Sequence, residues 1–185
     1  LAHSTGPAAD RGVKYSVVQS RGKSIKGLDL GHSFYLHNLK GIVFPGFPDR
    51  PWGKGNVPLK DGEKGKFFKK VRTYGGYCFV SDACRLGWLP VRGWKDRFDP
   101  RAAALDGKSM MEKYGTYPES CSDCLLACDR RKKDGHILPR WTEVMTMGTN
   151  LGFFDSEDIE KIVTLANQEG LDTSVTGGII GSIIF

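Results

Sequence analysis

The chain has 185 residues, of which 39% are hydrophobic, so it is long enough to bury a core. No apolar run approaches the roughly 20 residues of a membrane-spanning helix, and we expect no secretory signal peptide. The net charge of +6 comes from scattered lysines and arginines, with small clusters at residues 64–70 and 130–133. We interpret these clusters as a solvated face or, alternatively, as a docking patch for an acidic electron-transfer partner. We expect neither nucleic acid nor membrane as a partner.

Residues 11–44 alternate between extended segments and glycines. Val13–Ser20 has apolar residues at every second position, which predicts a strand, and Ile42–Phe44 predicts a second one that Pro45 ends. Residues 45–66 contain four prolines and many glycines. That composition is typical of a loop or a connection between domains.

From residue 66 onward the apolar spacing favours helices with frequent interruptions. Short helices are predicted over Phe67–Arg72, Tyr77–Leu86, Asp99–Lys113 and Thr142–Met147. Residues 115–140 are rich in turn-forming residues and predict a loop that carries the cysteines.

The strongest helix signal covers residues 156–169. Asp155 is a good N-cap, and the apolar stripe has helical spacing. The stripe consists of Ile159, Ile162, Val163 and Ala166. Gly170 suits the left-handed residue that ends a helix, and Asp172 or Thr173 is expected to cap a following one. The apolar tail, residues 177–185, predicts the beginning of a buried helix, and a first residue other than Met leads us to expect a piece of a longer protein.

Three of the five cysteines lie within eight residues as C-x2-C-x3-C: Cys121, Cys124 and Cys128. Such spacing is poor for disulfides and good for metal, which favours a reducing, cytoplasmic compartment. The three thiolates could hold three corners of a [4Fe–4S] cluster whose fourth ligand lies elsewhere. A zinc site completed by His136 is an alternative, as are cysteines without a metal. Cys78 and Cys84 are expected to be buried thiols.

The cysteines belong to an ordered series of motifs. In chain order these are Gly6-Pro7-Ala8, Asn38-Leu39-Lys40-Gly41-Ile42-Val43, the three cysteines, Trp141-Thr142-Glu143, Gly148-x-Asn150-Leu151-Gly152 and Asn167-x-x-Gly170-Leu171-Asp172-Thr173. The series resembles the aldehyde:ferredoxin oxidoreductase family, whose members carry GPAGEN, KNLKAI, C-x2-C-x3-C, a glutamate in a YE segment, G-x-N-x-G and D-x-x-G-L-D-T. Each motif is weak alone, but their order and spacing together are specific.

The resemblance implies a tungsten or molybdenum atom held between two pterins, close to a [4Fe–4S] cluster. It also implies a mainly α fold, with an irregular helical second domain at residues 47–185. Residues 1–46 would be the end of a β-rich, cofactor-binding first domain. A third domain with the fourth cluster cysteine is expected outside this sequence, so we expect the 185 residues alone to be inactive.

The implied activity is oxidation of an aldehyde, or of a related low-potential small molecule. Electrons would pass through the cluster to ferredoxin or an electron-transfer subunit. By position, Glu143 would activate a water at the metal or move a proton. The resemblance makes Cys121, Cys124 and Cys128 cluster ligands and directs Asn167, Leu171, Asp172 and Thr173 toward one pterin.

Two departures from the family pattern keep other hypotheses open. The stretch Gly27–His37 replaces the arginine and two glycines that the family has there, and Asn167 replaces the usual aspartate. Glycines would let the backbone approach a phosphate closely, and an aspartate would give a charge-assisted hydrogen bond. The rivals to a redox enzyme are a zinc-stapled binding module and a catalytically inactive paralogue that serves as an electron-transfer or scaffold subunit.

Overall fold

The computed structural model describes residues 2–20, 23–25, 29–45, 63–120, 124 and 126–185. The strands are β1 Ala2–Thr5, β2 Val18–Ser20, β3 Lys23–Ile25, β4 Gly41–Val43, β5 Tyr117–Glu119 and β6 Asp129–Arg131. The α-helices are α1 Pro7–Asp10, α2 Leu30–Leu36, α3 Glu63–Tyr74, α4 Cys78–Arg85, α5 Gly107–Tyr114, α6 Trp141–Glu143, α7 Ser156–Glu169 and α8 Thr173–Ile184. Pro100–Leu105 and Thr149–Leu151 are 3₁₀ segments, and Val144–Gly148 is π-helical. The described chain is thus mainly helical with two small sheets, which agrees with the predicted helical class.

The first sheet is antiparallel, with its strands in the order β3-β2-β1-β4. The strand expected at residues 42–44 is present as β4, shifted by one residue. The strand predicted over Val13–Ser20 forms only in its last three residues, so its first half was wrong. Val17 N donates to the carbonyl of Gly170 at 2.8 Å, and Ser16 pairs with Leu171. This half of the segment therefore pairs with the turn after α7 and not with a strand of the sheet.

The second sheet is the hairpin of β5 and β6, which flanks the cysteine segment. Glu119 lies opposite Asp129, and Tyr117 lies opposite Arg131. The segment predicted to be loop-rich, residues 115–140, contains these two short strands, which were not predicted because three residues are too few to give a period-two signal. Across the pair, Arg131 Nε donates to Glu119 Oε2 at 3.0 Å, so the hairpin closes on an ion pair.

Local signals in α7 predict both of its ends. Asp155 Oδ1 accepts from the backbone N–H groups of Glu157 and Asp158 at 2.8 and 3.2 Å. Gly170 ends the helix in the left-handed region, with φ of 75°. The predicted apolar stripe is buried at Ile159, Val163 and Ala166 and half-buried at Ile162. Each large apolar side chain removed from water contributes roughly 1.5–3 kcal/mol to the free energy of folding, so this stripe anchors α7 in the core.

The core lies where α4, α7 and the segment from α6 to the second 3₁₀ segment meet. Its fully buried large residues are Tyr77, Val80, Leu89, Val91, Leu105, Met147 and Ile159. α8 packs beside it, with Asn150 Nδ2 donating to the carbonyl of Gly177 at 2.9 Å. The tail is helical as expected, but the expected burial was wrong at Ile179, Ile183 and Ile184, of which Ile183 is 78% exposed. Across the described ranges, no helix has both the length and the apolar character to cross a membrane.

Candidate functional site

The cysteine segment is anchored at its C-terminal end. Gly76 N donates to the carbonyl of Cys128 at 2.8 Å, and the preceding Ala127 is buried with a left-handed φ of 46°. Cys128 is half-buried and Cys124 is exposed. Cys121 lies outside the described residues. The predicted ligands are therefore placed for two of the three positions.

Arg130, two residues after Cys128, fills a slot formed by the turn between α3 and α4. A Cβ at Gly75 would lie 2.9 Å from both Arg130 Nε and the carbonyl of Cys128. Gly75 also has a φ of 69°, so a side chain there would be both strained and obstructed. Arg130 is 1% exposed, and its Nη2 donates to the carbonyls of Val71, at 3.1 Å, and Arg72. The C-terminal end of α3 thus receives a buried cation, a favourable placement for the helix dipole.

Burial lowers the pKa of the Arg130 guanidinium, while the charges of the Cys78 and Cys128 thiolates would raise it. Burial likewise raises the pKa of the Cys78 thiol, and the Lys70 ammonium lowers it. Within the described residues, Nε and Nη1 of Arg130 have no hydrogen-bond partner. A buried cation with two unsatisfied donors is costly, so this place favours an anion.

The turn between α7 and α8 is held by the N-terminal segment of the chain. A Cβ at Gly170 would lie 2.8 Å from Gly6 Cα, so the two backbones touch. Asp172 N donates to the carbonyl of Tyr15 at 2.9 Å. Asp172 Oδ1 accepts from Ser174 N and Val175 N, which makes Asp172 the N-cap of α8 and confirms one of the two caps expected. Two motifs at opposite ends of the sequence, at residues 6–8 and 167–173, thereby meet.

Glu143 joins this turn to the helical segment that starts at α6. It is only 5% exposed. Its Oε2 accepts from the backbone N–H of Arg140 at 2.7 Å, and its Oε1 accepts from the Thr173 hydroxyl at 3.1 Å. Two donors from separate elements therefore fix the orientation of the carboxylate.

A cavity of about 280 Å³ opens between α7, the end of β6 and the first sheet. Its lining residues are Gln19, Ser24, Asp129, Ile137, Leu138, Pro139, Arg140, Glu143, Glu160, Val163, Thr164, Asn167 and Gln168. The wall combines carboxylates, amides and one guanidinium with a few apolar side chains. It can therefore offer both donors and acceptors to a ligand with a polar ring edge.

Asn167 is the predicted cofactor residue most clearly at this cavity. Its Oδ1 accepts from the Ser24 hydroxyl at 2.6 Å, and its backbone carbonyl accepts from Gln19 Nε2. Arg140 Nη1 donates to the carbonyl of Ser24 at 3.3 Å, and Arg140 Nε lies 3.8 Å from Asp129 Oδ1. The first sheet, the residue after Cys128 and the end of α7 thus share one hydrogen-bonded wall.

The structure brings together some of the predicted residues and not others. Glu143 and Asn167 line the cavity, whereas the other three predicted residues lie outside it. Leu171 pairs with Ser16, Asp172 caps α8, and Thr173 donates to Glu143. Sequence reasoning missed Gln19, Ser24, Asp129 and Arg140 as wall residues. The position of Asp129 beside Cys128 was a usable signal, but Gln19 lies 148 residues from its partner Asn167 and gave none.

The zinc alternative requires His136 to join the cysteines. His136 is exposed, and its backbone N–H is held by Asp134 Oδ1 at 3.0 Å. In the part of the chain that the structure describes, no three His, Cys, Asp or Glu side chains are grouped to hold a metal ion. Cys121 lies outside that part.

Comparison with known proteins bears on the same residues. Residues 60–184 match the family model described as aldehyde ferredoxin oxidoreductase, domains 2 and 3. The chain belongs to the aldehyde ferredoxin oxidoreductase family. The resemblance drawn from its motifs is therefore confirmed.

Curated relatives of the family carry the name tungsten-containing aldehyde ferredoxin oxidoreductase. Those of Pyrococcus furiosus and Thermococcus kodakarensis are each 26% identical over 201 residues, and that of Pyrococcus horikoshii is 24% identical. Each alignment covers 97% of this chain and 32% of the relative. The chain thus spans about a third of the length of these relatives.

Proposed function

We propose that this chain is part of an oxidoreductase that oxidises an aldehyde, or a related low-potential substrate, at tungsten or molybdenum held by two pterins. Electrons leave through a [4Fe–4S] cluster to ferredoxin or a partner subunit. Residues 1–46 form the end of a β-rich first domain, residues 47–185 belong to the helical second domain, and the remaining domains complete the site. The observation that carries the proposal is the family match over residues 60–184, which includes the three cysteines and the wall at Glu143 and Asn167.

The donor set supports a cluster held by Cys121, Cys124 and Cys128. Thiolates are the ligands that iron–sulfur clusters take, and C-x2-C-x3-C supplies three of the four. The buried Arg130, with unsatisfied Nε and Nη1 in the described region, supplies positive charge two residues from Cys128. A cluster bound here would provide one-electron transfer between the metal centre and the acceptor.

The cavity supports one pterin ring beside Asn167. Its volume of about 280 Å³ is near the lower end of the roughly 300–1,000 Å³ of small-molecule sites. There is room for a ring system and not for two complete pterins, so other domains must hold the rest. Asn167 Oδ1 already accepts from Ser24, which orients the amide and directs its NH₂ group for donation to an acceptor on the ring.

In our proposal Leu171 and Thr173 support that wall from behind, whereas Asp172 contacts the pterin outside the cavity, which it does not line. Both capping bonds of Asp172 go to Oδ1. Its Oδ2 has no hydrogen bond to the described residues, so we assign it the role of acceptor for a pterin N–H group. Leu171 packs against the core and thereby keeps the turn in place beside α7.

Glu143 is the proposed acid–base residue. Thr173 and the Arg140 backbone hold its carboxylate at the cavity wall, so it can accept a proton without first reorienting. In the proposed reaction it holds or moves a proton as the aldehyde is oxidised.

Pterin and metal analysis of the full-length protein tests this proposal. Tungsten or molybdenum, pterin fluorescence after oxidation, and aldehyde-dependent reduction of viologen are all expected. Absence of both metals and of pterin would contradict the proposal, and cofactor without aldehyde turnover would favour an inactive paralogue.

Asp172→Ala and Asp155→Ala form a matched pair for the pterin contact. Each aspartate caps a helix through Oδ1 with bonds of 2.8 and 3.2 Å, so each loss should destabilise by about 0.5–2 kcal/mol. Only Asp172→Ala should lower the pterin content. Equal pterin content in the two variants would remove Asp172 from the proposed site.

A further inference from the structure

Arg130 is a buried cation without a counter-ion in the part of the chain that the structure describes. It is 1% exposed, and no described carboxylate lies within ion-pair distance of it. The acidic neighbours have other partners: Asp129 lies 3.8 Å from Arg140, and Glu119 binds Arg131 at 2.9 Å. Arginines are rarely buried unless a charge or a set of acceptors compensates them.

The hydrogen bonds of Arg130 leave its compensation incomplete. Nη2 donates to the carbonyls of Val71 and Arg72, the last turn of α3. Nε and Nη1 are enclosed and find no acceptor among the described residues. A guanidinium holds its five N–H donors in a rigid fork, so the two remaining nitrogens cannot turn toward the same carbonyls.

The slot around Arg130 depends on the glycine at position 75. The left-handed Gly75 leaves room for Arg130 Nε, since a Cβ there would lie at 2.9 Å. Gly76 holds the carbonyl of Cys128 at 2.8 Å, so the same turn fixes both the cation and the last cysteine. The fold thus brings a fixed positive charge to the cysteine segment.

We propose that Arg130 is the electrostatic partner of the [4Fe–4S] cluster, and that its charge and its Nε–H and Nη1–H groups raise the reduction potential of the cluster. This inference rests on the proposed function, because it needs the cluster. A thiolate-bound cluster is anionic and becomes more negative when it takes up one electron. A nearby cation and hydrogen bonds to sulfur therefore stabilise the reduced form more than the oxidised form.

A redox titration of the full-length protein tests this role. The cluster would be reduced anaerobically with dithionite and followed by electron paramagnetic resonance in the parent, Arg130→Gln, Arg130→Lys and Arg131→Gln. We expect the most negative potential in Arg130→Gln and an intermediate one in Arg130→Lys, which keeps the charge but has a single nitrogen. Arg131→Gln is the matched control, since it removes the same charge from a more exposed guanidinium whose field water screens, and its potential should shift less than that of Arg130→Gln.

Each outcome decides the matter. An unchanged potential in Arg130→Gln would overturn the inference. If Arg130→Gln does not fold, Arg130→Lys decides the role of the Nε–H and Nη1–H groups: a more negative potential supports it, and a parent-like potential overturns it. A parent protein without an iron–sulfur signal would instead refute the proposed function, so the two failures are distinguishable.

Discussion

The turn between α7 and α8 and the cysteine segment between β5 and β6 are two parts of one proposed site with opposite construction. In the turn, Asp172 Oδ1 caps α8 and the Thr173 hydroxyl donates to Glu143, so these two groups have partners within the chain. In the cysteine segment, Cys124 is exposed and Arg130 keeps two donors without an acceptor in the described residues. The turn is held by contacts within the chain, whereas the cysteine segment has the features of a site that a ligand completes.

The two regions are held in place by different kinds of contact. The turn is fixed by caps and by close backbone contact with Gly6, which need no cofactor. On the side of Cys128, the cysteine segment is held through the backbone of Gly76. Changes in the turn should therefore cost stability with or without cofactor, and changes in the cysteine segment should act through the cluster.

The largest expected difference is in thiol reactivity. In cluster-free protein we expect Cys124 to react with iodoacetamide on the order of a hundredfold faster than Cys78, because Cys78 must be exposed by local opening. Burial also raises the pKa of the Cys78 thiol and so lowers its thiolate fraction at neutral pH. Peptide mapping by mass spectrometry measures both rates. Equal rates would show that the Cys124 thiol is no more accessible than the buried Cys78 thiol.

Gly170→Ala should be the most damaging change in the turn, by about 2 kcal/mol in the free energy of unfolding. It combines a φ of 75° with a contact of 2.8 Å to Gly6. Gly135→Ala is the control, since Gly135 has a φ of 92° but nothing within 4 Å of an added Cβ. Chemical denaturation should show a clearly larger loss at Gly170. A loss no larger than at Gly135 would mean that the contact with Gly6 contributes nothing.

Thr173→Val should lower the free energy of unfolding by about 1–2 kcal/mol, because it removes the buried donor to Glu143. Thr73→Val is the control, as the Thr73 hydroxyl is exposed and bonds only the carbonyl of Lys69 in its own helix. The control should change stability by less than about 0.5 kcal/mol. If denaturation gives the same small change for both, the Thr173–Glu143 bond does not hold the turn.

The smallest expected effect is the pH dependence from Asp155. Backbone N–H groups of Glu157 and Asp158 lower the pKa of its carboxyl below the ordinary value of 3.8. The folded pKa is below the unfolded one, so this stabilisation is present above about pH 4 and is lost as pH falls through the folded pKa. Asp155→Asn should flatten the acid limb of the unfolding free energy slightly. An unchanged acid limb would show that the cap carries no charge-dependent stabilisation.

The sequence predicts the parts of this molecule that local rules determine. Asp155, Gly170 and Asp172 were expected at helix ends, because caps and left-handed glycines act within a few residues. The bond from Gln19 to Asn167 joins residues 148 apart, and no local rule predicts it. The same is true of Val13–Ser20, whose alternation predicts a strand throughout although its first half pairs with the Gly170 turn.

The candidate site likewise has parts that the sequence predicts and parts that depend on tertiary packing. Motif order was sufficient for the family, which the match over residues 60–184 confirms. The roles of Glu143 and Asn167 remain predictions, and the wall formed with Ser24 and Arg140 depends on tertiary packing. The interpretation of the cluster at residues 130–133 as a solvated face or docking patch was wrong for Arg130, which is 1% exposed; arginines in basic clusters are usually solvated, so the sequence gives no signal of this burial.

Iron analysis of the full-length protein tests the central claim, that Cys121, Cys124 and Cys128 hold a [4Fe–4S] cluster. We predict brown protein with about four irons per chain that bleaches with dithionite. Cys124→Ala should lose this iron, and Cys84→Ala should retain it, since Cys84 is buried with its thiol toward the carbonyl of Asp99. Colourless protein that binds zinc, or a cluster unaffected by Cys124→Ala, would contradict the account.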